Sequence, residues 1–386
     1  MATGADVAGQ IDEIARRWTD DRAERQARRH LERADFDELR EAGLLTLPVP
    51  TDRGGCWVSN EASARALFGV YRRLAGADAS VALVSSMHPA VIGYWLMSGG
   101  GGDWADQRHA VFAGALAGEQ WATITSEPGS GGDISRTVAT ATPDDDHGFL
   151  PGRSYGVSGL KHFGSGSGIA DRMITTAIPD GEDAPALFVL DASDRRWDGS
   201  SGFELVAEWD GVAMKATQSH GMRLERAPAV RAAWDGPLDE LTRAASPLIA
   251  TVFTSVVLGV LDAALAEARP RIAARADSLR PYEQVEWTRA ERDHWLAVQA
   301  WEGAVRAVEQ ADLPVAIHAA LRAKQSIADL AEDTMRRLTR VLGGGTLSAR
   351  APFAHWFEDV RALGFLRPPW AFADDILFAT SFDVES

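Results

Sequence analysis

The sequence predicts an α+β protein in which a helical region at each end of the chain flanks a central β unit. Residues 1–115 carry apolar side chains mainly at helical spacing, whereas residues 116–235 form short alternating or β-branched runs between glycine, proline and aspartate turns. Residues 236–386 return to helical spacing in long blocks. We therefore expect three domains with these boundaries.

In the N-terminal domain the segment DFDELREAG predicts a short helix. Asp35 can cap its beginning, and Gly43 stands where a helix commonly ends in glycine. The next segment, EASARALFGVYRRLAGAD, also has helical spacing, and we expect its helix to end at Gly76. The apolar stretches 81–97 and 248–261 are shorter than a membrane span requires, so they predict buried helices and no membrane partner.

The two remaining domains differ in the period of their apolar residues. The central domain predicts strands at TVATATP, GFLPGRSYGVSG, RMITTAIP, PALFVL and HGMRLER. The C-terminal blocks 243–268, 284–310 and 314–342 have apolar residues three and four positions apart. That spacing is typical of long helices that pack side by side in a bundle.

Composition and charge restrict the class of protein. The chain has 386 residues, 46% hydrophobic and 24% charged, as is common in globular enzymes. A net charge of −16, with no basic stripe, argues against a nucleic-acid partner. Cys56 is the single cysteine, which rules out an internal disulfide framework, and the N-terminus carries no apolar signal segment. We expect a cytoplasmic location.

Three glycine-rich segments are candidates for ligand contact: TSEPGSGGD (125–133), KHFGSGSG (161–168) and LGGGT (342–346). Each one alone is consistent with an ordinary turn or helix end. KHFGSGSG lacks the GK[ST] ending of a phosphate-binding P-loop, and no GxGxxG motif stands between a strand and a helix. Both common nucleotide-binding motifs are therefore missing.

In this order and spacing the three segments resemble the acyl-CoA dehydrogenase superfamily of flavoproteins. Four further segments are similar to that superfamily: EAGLLTLPVPTDRGG (41–55), SMHP (86–89), EWDGVAMKATQSHGMRLERAPA (208–229) and LGVLDAALAEA (258–268). The resemblance covers roughly residues 30–380. It implies an N-terminal helical domain, a central β-barrel and a C-terminal four-helix bundle, assembled as a homodimer or homotetramer.

The resemblance also implies a bound flavin, FAD with FMN as the alternative. Ser126 would hydrogen-bond the flavin edge, Phe163 would cover a ring face and Ser165 would lie near the ring nitrogen N5. Ile124 and Thr125 would contribute main-chain contacts. The turn KHFGSGSG is thereby interpreted as a flavin-ring loop without a phosphate role.

The segment LGGGT would lie beside the cofactor tail of a neighbouring subunit. Gly343 and Gly344 would allow the main chain to approach a phosphate or ribose closely. Arg340 could pair with a pyrophosphate; alternatively it is a solvated arginine near a helix C-terminus.

The residues leave the reaction open between two branches of the superfamily. In a dehydrogenase a glutamate removes the substrate proton, but the two positions that the resemblance gives for this base hold Arg367 and Ile249, and Gly132 replaces a substrate-contact serine. Arginine cannot act as a base. KHFGSG resembles instead the flavin-dependent monooxygenases of the dibenzothiophene monooxygenase type. That resemblance implies a flavin C4a-hydroperoxide, with Ser165 and His88 as catalytic residues.

Three hypotheses follow, of which we favour the first. The protein is a flavin-dependent monooxygenase or oxidase of a small organic substrate, an acyl-CoA or acyl-carrier dehydrogenase whose base lies elsewhere, or a base-less flavin-binding subunit of a heteromer. His220 and His355 have no partners at metal-ligand spacing, so we expect no metal. Strand alternation predicts that His162 points away from Phe163.

Overall fold

The chain folds into two helical regions with a β-barrel between them. A computed structural model describes residues 3–145 and 148–382. Buried side chains of the first helices, the barrel and the last helices belong to one apolar cluster, so a shared core joins all three regions. The predicted α+β class and its order of helices, strands and helices are confirmed.

The N-terminal region is helical. Its helices are α1 (Gly4–Asp20), α2 (Arg22–Ala27), α3 (Arg33–Glu41), α4 (Asn60–Ala77), α5 (Ala79–Met97) and α6 (Gly102–Leu116). Helix α4 begins where the Ser59 hydroxyl accepts a hydrogen bond from the Ala62 N–H. Asp78 caps α5 in the same way through the Val81 N–H. These caps satisfy N–H groups that have no partner within the helix.

Asp35 does not cap a helix, which corrects the sequence prediction. Glu32 occupies the cap position of α3, and Asp35 lies inside the helix with its side chain buried. Its carboxylate forms ion pairs with Arg25 and Arg28, each at 2.8 Å. Two guanidinium partners compensate for burying this charge. Gly43 follows the helix with φ +84°, as the prediction of a terminal glycine requires.

The central region forms a barrel closed by non-sequential strand pairing. Its strands are β1 (Trp121–Thr123), β2 (Thr140–Pro143), β3 (Ser154–Gly164), β4 (Arg172–Pro179), β5 (Ala186–Asp191), β6 (Phe203–Ala207) and β7 (His220–Arg231). The order β4-β2-β3-β7-β5 returns to β4 because β5 also pairs with β4. β1 pairs with β4 in parallel, and β6 pairs with β7. Closure leaves few unpaired strand edges.

The C-terminal region is a bundle of long and short helices. They are α7 (Leu238–Ala273), α8 (Pro281–Gln310), α9 (Leu313–Leu342), α10 (Pro352–Arg361) and α11 (Trp370–Ala379). The short helix α10 packs on both α7 and α9, so it completes a four-helix arrangement, and α11 packs on α9.

Helices α4 and α7 approach each other through glycine. A Cβ atom at Gly259 would lie 1.9 Å from the carbonyl oxygen of Arg72, so only glycine fits there. Gly76 faces the same contact, where its Cβ would lie 3.3 Å from the carbonyl oxygen of Gly259. The predicted helix end at Gly76 is therefore wrong: α4 continues to Ala77, and the glycine permits close packing inside the helix.

Two helices of the described chain, α5 and α7, are long and apolar enough to cross a membrane by length and composition alone. In each, 83% of the most apolar window is buried inside the protein. The helix at the second apolar stretch is 36 residues long, well beyond the short apolar run that the sequence shows. Packing in the shared core accounts for the apolar character of both helices.

Candidate functional site

A cavity of about 680 Å³ lies where the barrel meets both helical regions. The segments TSEPGSGGD and KHFGSGSG contribute one part of its wall, together with side chains between 209 and 219. Helix α5 contributes Leu83 and Met87, and α7 contributes Phe253. The end of β1, the end of α10 and the connection from α10 to α11 complete the wall. A largely apolar lining with a few polar groups is typical of a site for an organic ligand.

A buried ion pair joins the two glycine-rich segments of the barrel. The Lys161 ammonium is fully buried, donates to Glu127, and also donates to the Thr176 carbonyl oxygen at 2.6 Å. The main chains are joined as well, since the His162 N–H donates to the Ser126 carbonyl oxygen at 2.8 Å. Burial alone would raise the pKa of Glu127, but the hydrogen bond from Lys161 and other donors hold it below its usual value.

Three hydroxyl groups form a continuous chain along the cavity wall. Ser165 Oγ lies 2.8 Å from Ser219 Oγ, which in turn lies 2.8 Å from Thr217 Oγ1. The Gly166 N–H donates to the Thr217 carbonyl oxygen at 2.8 Å, which fixes the two loops against each other. Each hydroxyl can both donate and accept a hydrogen bond. The row of three hydroxyls can therefore direct one O–H donor into the cavity.

Sequence reasoning selected Ser165 but missed Thr217 and Ser219. Both residues lie in the segment TQSH, directly before β7, inside the stretch 208–229 that resembles the superfamily. A run of short polar side chains at the start of a strand was the available signal. The loop closure that brings this run to Ser165 is not encoded in any local pattern.

Phe163 and His162 both line the cavity, which corrects the prediction that strand alternation separates them. A bulge between Lys161 and Gly164 breaks the alternation of β3, and Phe163 has φ +56°. The Phe163 ring remains 60% exposed and lies edge-on to Trp209, with 6.3 Å between ring centroids. An exposed aromatic face at the cavity mouth is available to stack on a planar ligand.

The structure brings most of the predicted flavin contacts together. The residues that line the cavity are Thr125, Ser126, Phe163 and Ser165. Ile124 does not line it: its N–H donates to the Ile174 carbonyl oxygen at 2.9 Å, and its side chain packs beneath Gly164. Ile124 thus supports the loop from below.

The predicted catalytic role of His88 is not supported by its position. His88 is completely buried in α5 and does not line the cavity. Its Nε2 lies 3.0 Å from the Leu45 carbonyl oxygen, and its Nδ1 accepts the Trp121 N–H at 3.3 Å. Burial lowers the pKa of His88 to about 4, so the ring is neutral at pH 7. With both nitrogens engaged, the imidazole joins three parts of the main chain.

The LGGGT segment lies at the end of α9, away from the cavity lining. Gly343 has φ +85° and Gly344 begins a short 3₁₀ turn. The Arg340 side chain is 62% exposed and lies 3.8 Å from Glu286, a weak surface ion pair. Contact of these residues with a neighbouring subunit's cofactor stays a prediction. Within the described part of the chain no group of three or more His, Cys, Asp or Glu side chains could hold a metal ion.

The charged groups of the cavity lining are paired, with one exception. Glu127 pairs with Lys161, and Glu358 pairs with Arg361 at 2.9 Å. Arg367 lines the cavity too, at the position where the resemblance places the base of a dehydrogenase. Among the described lining residues no carboxylate is left without a cationic partner.

Gly132 explains why the substrate-contact serine of the superfamily pattern is missing. It has φ +83°, and a Cβ there would lie 2.6 Å from Pro369 Cγ. The proline after the Arg367-Pro368 pair therefore occupies the space that a side chain at this position would need.

One wall residue is held in an unusual conformation. Met214 lines the cavity with φ +45°, and its N–H donates to Asp359 Oδ1 of α10 at 2.5 Å. Burial raises the pKa of Asp359 to about 7. The carboxyl group thus connects α10 to the loop before β7.

Comparison with known proteins gives a consistent group of relatives. No protein-family model matches the chain. It is 26% identical over 321 residues to a dibenzothiophene monooxygenase of Mycolicibacterium goodii, covering 77% of this chain and 71% of that protein. It is 25% identical over 391 residues to the probable FMNH2-dependent monooxygenase SfnC of Pseudomonas putida, covering 92% and 88%. A putative acyl-CoA dehydrogenase, YdbM of Bacillus subtilis, is 25% identical over 86% of this chain and 85% of its own.

Solved structures have the same fold at lower identity. FMN-bound TdsC from Paenibacillus sp. A11-2 superposes with a TM-score of 0.78 at 19% identity, covering 98% of this chain and 97% of that one. Butyryl-CoA dehydrogenase from Megasphaera elsdenii superposes with a TM-score of 0.82 at 18% identity, with the same coverage. The fold of this chain is thus shared by a monooxygenase and a dehydrogenase.

Proposed function

Because this chain belongs to the acyl-CoA dehydrogenase-like superfamily and is an oxidoreductase enzyme, we propose that it is a flavin-dependent monooxygenase or oxidase of a small organic substrate. The observation that carries the proposal is the composition of the cavity wall. A row of hydroxyl groups ends at Ser165, and among the described lining residues no carboxylate is free to act as a base. A dehydrogenase needs such a base to remove the substrate proton.

The residues of the cavity fit a flavin. Thr125 and Ser126 offer short hydroxyl and main-chain groups for the polar edge of the ring system, and Phe163 offers an aromatic face. FMN and FAD both meet this description, since only the ring needs to occupy the cavity. When bound and reduced, the flavin supplies the electrons that activate oxygen, and we assign it the C4a-hydroperoxide route of monooxygenases.

The chain's own residues then have distinct tasks. The Ser165 hydroxyl, backed by Ser219 and Thr217, donates a hydrogen bond to the oxygen atoms held in the cavity. Leu83, Met87 and other apolar side chains exclude water, which would otherwise compete for that hydrogen bond.

Stopped-flow absorbance of the protein loaded with reduced flavin and mixed with oxygen, without substrate, tests the proposal. We expect a transient C4a-hydroperoxide spectrum, and Ser165→Ala should shorten its lifetime about tenfold because one hydrogen bond of about 1.4 kcal/mol is lost. Ser326→Ala, at an exposed position of α9, is the control and should leave the lifetime unchanged. Direct reoxidation without a transient in the wild-type protein overturns the proposal.

A second candidate, an acyl-CoA dehydrogenase, is favoured by one observation. Glu358 lines the cavity, and its partner Arg361 is 52% exposed in its side chain, so this pair is weakly held. Movement of Arg361 would free a carboxylate. Bleaching of the oxidised flavin by acyl-CoA under nitrogen, lost in Glu358→Gln, would establish this alternative.

We further propose a cytoplasmic homo-oligomer. Large apolar side chains around α11 are exposed in the single chain, among them Phe365, Trp370 and Phe378. An exposed apolar patch of this kind favours association. In such an assembly Arg340, Gly343 and Gly344 would approach the cofactor tail of the neighbouring subunit. Light scattering on the purified protein measures the assembly, and a monomer would contradict it.

A further inference from the structure

Arg367 is a cation without a partner at the cavity. Its side chain is half-buried and lines the cavity, yet among the described residues it forms no ion pair and no hydrogen bond. Its Nη2 atom is shielded from solvent and unpaired. A guanidinium nitrogen that has lost water and gained no protein acceptor is costly, so an acceptor for Nη2 is expected from a ligand.

The neighbouring acidic groups do not supply that acceptor. Asp133 and Tyr94 interact with the guanidinium electrostatically. Asp133 lies beyond ion-pair distance, and its Oδ1 accepts the Ser135 N–H at 2.9 Å and the Ser135 hydroxyl at 2.7 Å. The lining carboxylates Glu127 and Glu358 have their own cationic partners. The cavity therefore presents one positive charge that forms no ion pair within the described chain.

We propose that Arg367 binds a carboxylate of the substrate, so that the substrate class is an apolar or aromatic carboxylic acid. The inference rests on the proposed function, because it assigns the reacting molecule to this cavity. A planar guanidinium pairs with a carboxylate through two parallel hydrogen bonds, which fixes orientation as well as affinity. Leu83, Met87 and Phe253 offer apolar surface for the remainder of such a molecule.

Calorimetric titration of the FMN-loaded protein with indole-2-carboxylate and with indole tests the assignment. The two probes share one ring system and differ by the carboxylate. We expect the carboxylate to bind about 10- to 100-fold more tightly, the range of a charge-assisted hydrogen-bond pair. Arg367→Met should abolish this preference and Arg367→Lys should keep part of it. Arg136→Met, which removes an exposed arginine outside the cavity lining, should keep all of it.

Each other outcome overturns the assignment. If the wild-type protein binds both probes equally, the cavity does not select a carboxylate. If Arg367→Met and Arg367→Lys keep the preference but lose affinity for FMN relative to riboflavin, Arg367 binds the flavin phosphate instead. Thermal denaturation shows whether each variant folds, and Arg367→Lys keeps the charge if Arg367→Met does not fold. Binding requires no turnover, so this result is separate from the oxygen reaction that tests the proposed function.

Discussion

At the residue scale, the Glu127–Lys161 pair determines how the two cavity segments of the barrel sit together. Both side chains are almost completely buried, and every contact of the Lys161 ammonium is with the protein. A pair of this kind adds little net stability, since desolvation offsets attraction, but either charge alone is costly. The pair therefore enforces one relative position of TSEPGSGGD and KHFGSGSG.

Lys161→Met should destabilise the protein strongly. Removing the cation leaves the buried Glu127 carboxylate uncompensated, at a cost of about 3–5 kcal/mol in the free energy of unfolding. Urea denaturation at pH 7 measures this loss. The double variant Glu127→Gln with Lys161→Met removes both charges and should recover most of it. Equal losses in the single and double variants would mean that packing, and not charge, dominates at this site.

The sequence allowed the residues of single short segments to be predicted. Ser126, Phe163 and Ser165 each belong to a motif with a recognisable order of glycine and serine, and all three line one cavity. Ser219 lies 54 positions from Ser165, and only the folded barrel brings the two hydroxyls together. The motif SMHP did not indicate that both ring nitrogens of His88 form hydrogen bonds with main-chain groups.

At the scale of elements, the contact between α4 and α7 depends on the absence of a side chain. Gly259→Ala would place a Cβ 1.9 Å from the Arg72 carbonyl oxygen, so the two helices must separate. We expect a loss of about 1–3 kcal/mol in the free energy of unfolding, the usual cost of overpacking a core. Thermal or urea denaturation would measure it.

Gly303→Ala is the matched control for that change. Gly303 lies inside α8, and a Cβ there would meet nothing within 4 Å. Alanine should therefore stabilise the protein by about 0.5–1 kcal/mol, because glycine is the poorer helix residue. A loss at Gly303 as large as that at Gly259 would show that the loss at Gly259 does not depend on the α4–α7 contact.

Helix and strand periods could be predicted at this scale because they follow from local spacing. The blocks 243–268, 284–310 and 314–342 each lie inside one long helix. Boundaries were less accurate where tertiary contacts decided them. Asp35 is a good capping residue in isolation, but two arginines from outside its helix bind its carboxylate instead. Gly76 predicts a helix end, but in the structure it lies inside α4, where α7 packs closely against it.

At the scale of the whole molecule, the order of the strands and the contacts between the barrel and the helical regions could not be predicted from the sequence. The runs that the sequence predicts as strands do form strands, but the barrel closes through the pairing of β4 with β5 and β2, contacts set by topology. Asp359 illustrates the same point. Its carboxyl group on α10 accepts the Met214 N–H from the loop before β7, and the buried carboxyl of Asp78 in the N-terminal region is near enough to raise the pKa of Asp359.

The buried carboxyl of Asp359 makes stability depend on pH. Burial is the main cause that raises its pKa from 3.8 to about 7; Asp78 and Glu358 act in the same direction, while the Met214 N–H and Lys215 oppose it. Between these two pH values the folded protein holds a proton that the unfolded chain has lost. The contribution of Asp359 to stability is therefore fully present below about pH 4 and is lost as the pH rises through about 7.

Asp359→Asn removes this titration and keeps an acceptor for the Met214 N–H. The free energy of unfolding of the variant, relative to wild type, should rise by up to about 3 kcal/mol between pH 5 and pH 8, since each pKa unit corresponds to about 1.4 kcal/mol. Urea denaturation at several pH values measures this difference, with Asp375→Asn at an exposed position of α11 as the control. A difference that stays constant across this range would show that Asp359 does not titrate between pH 5 and pH 8. The Met214 wall of the cavity would then be insensitive to pH in that range.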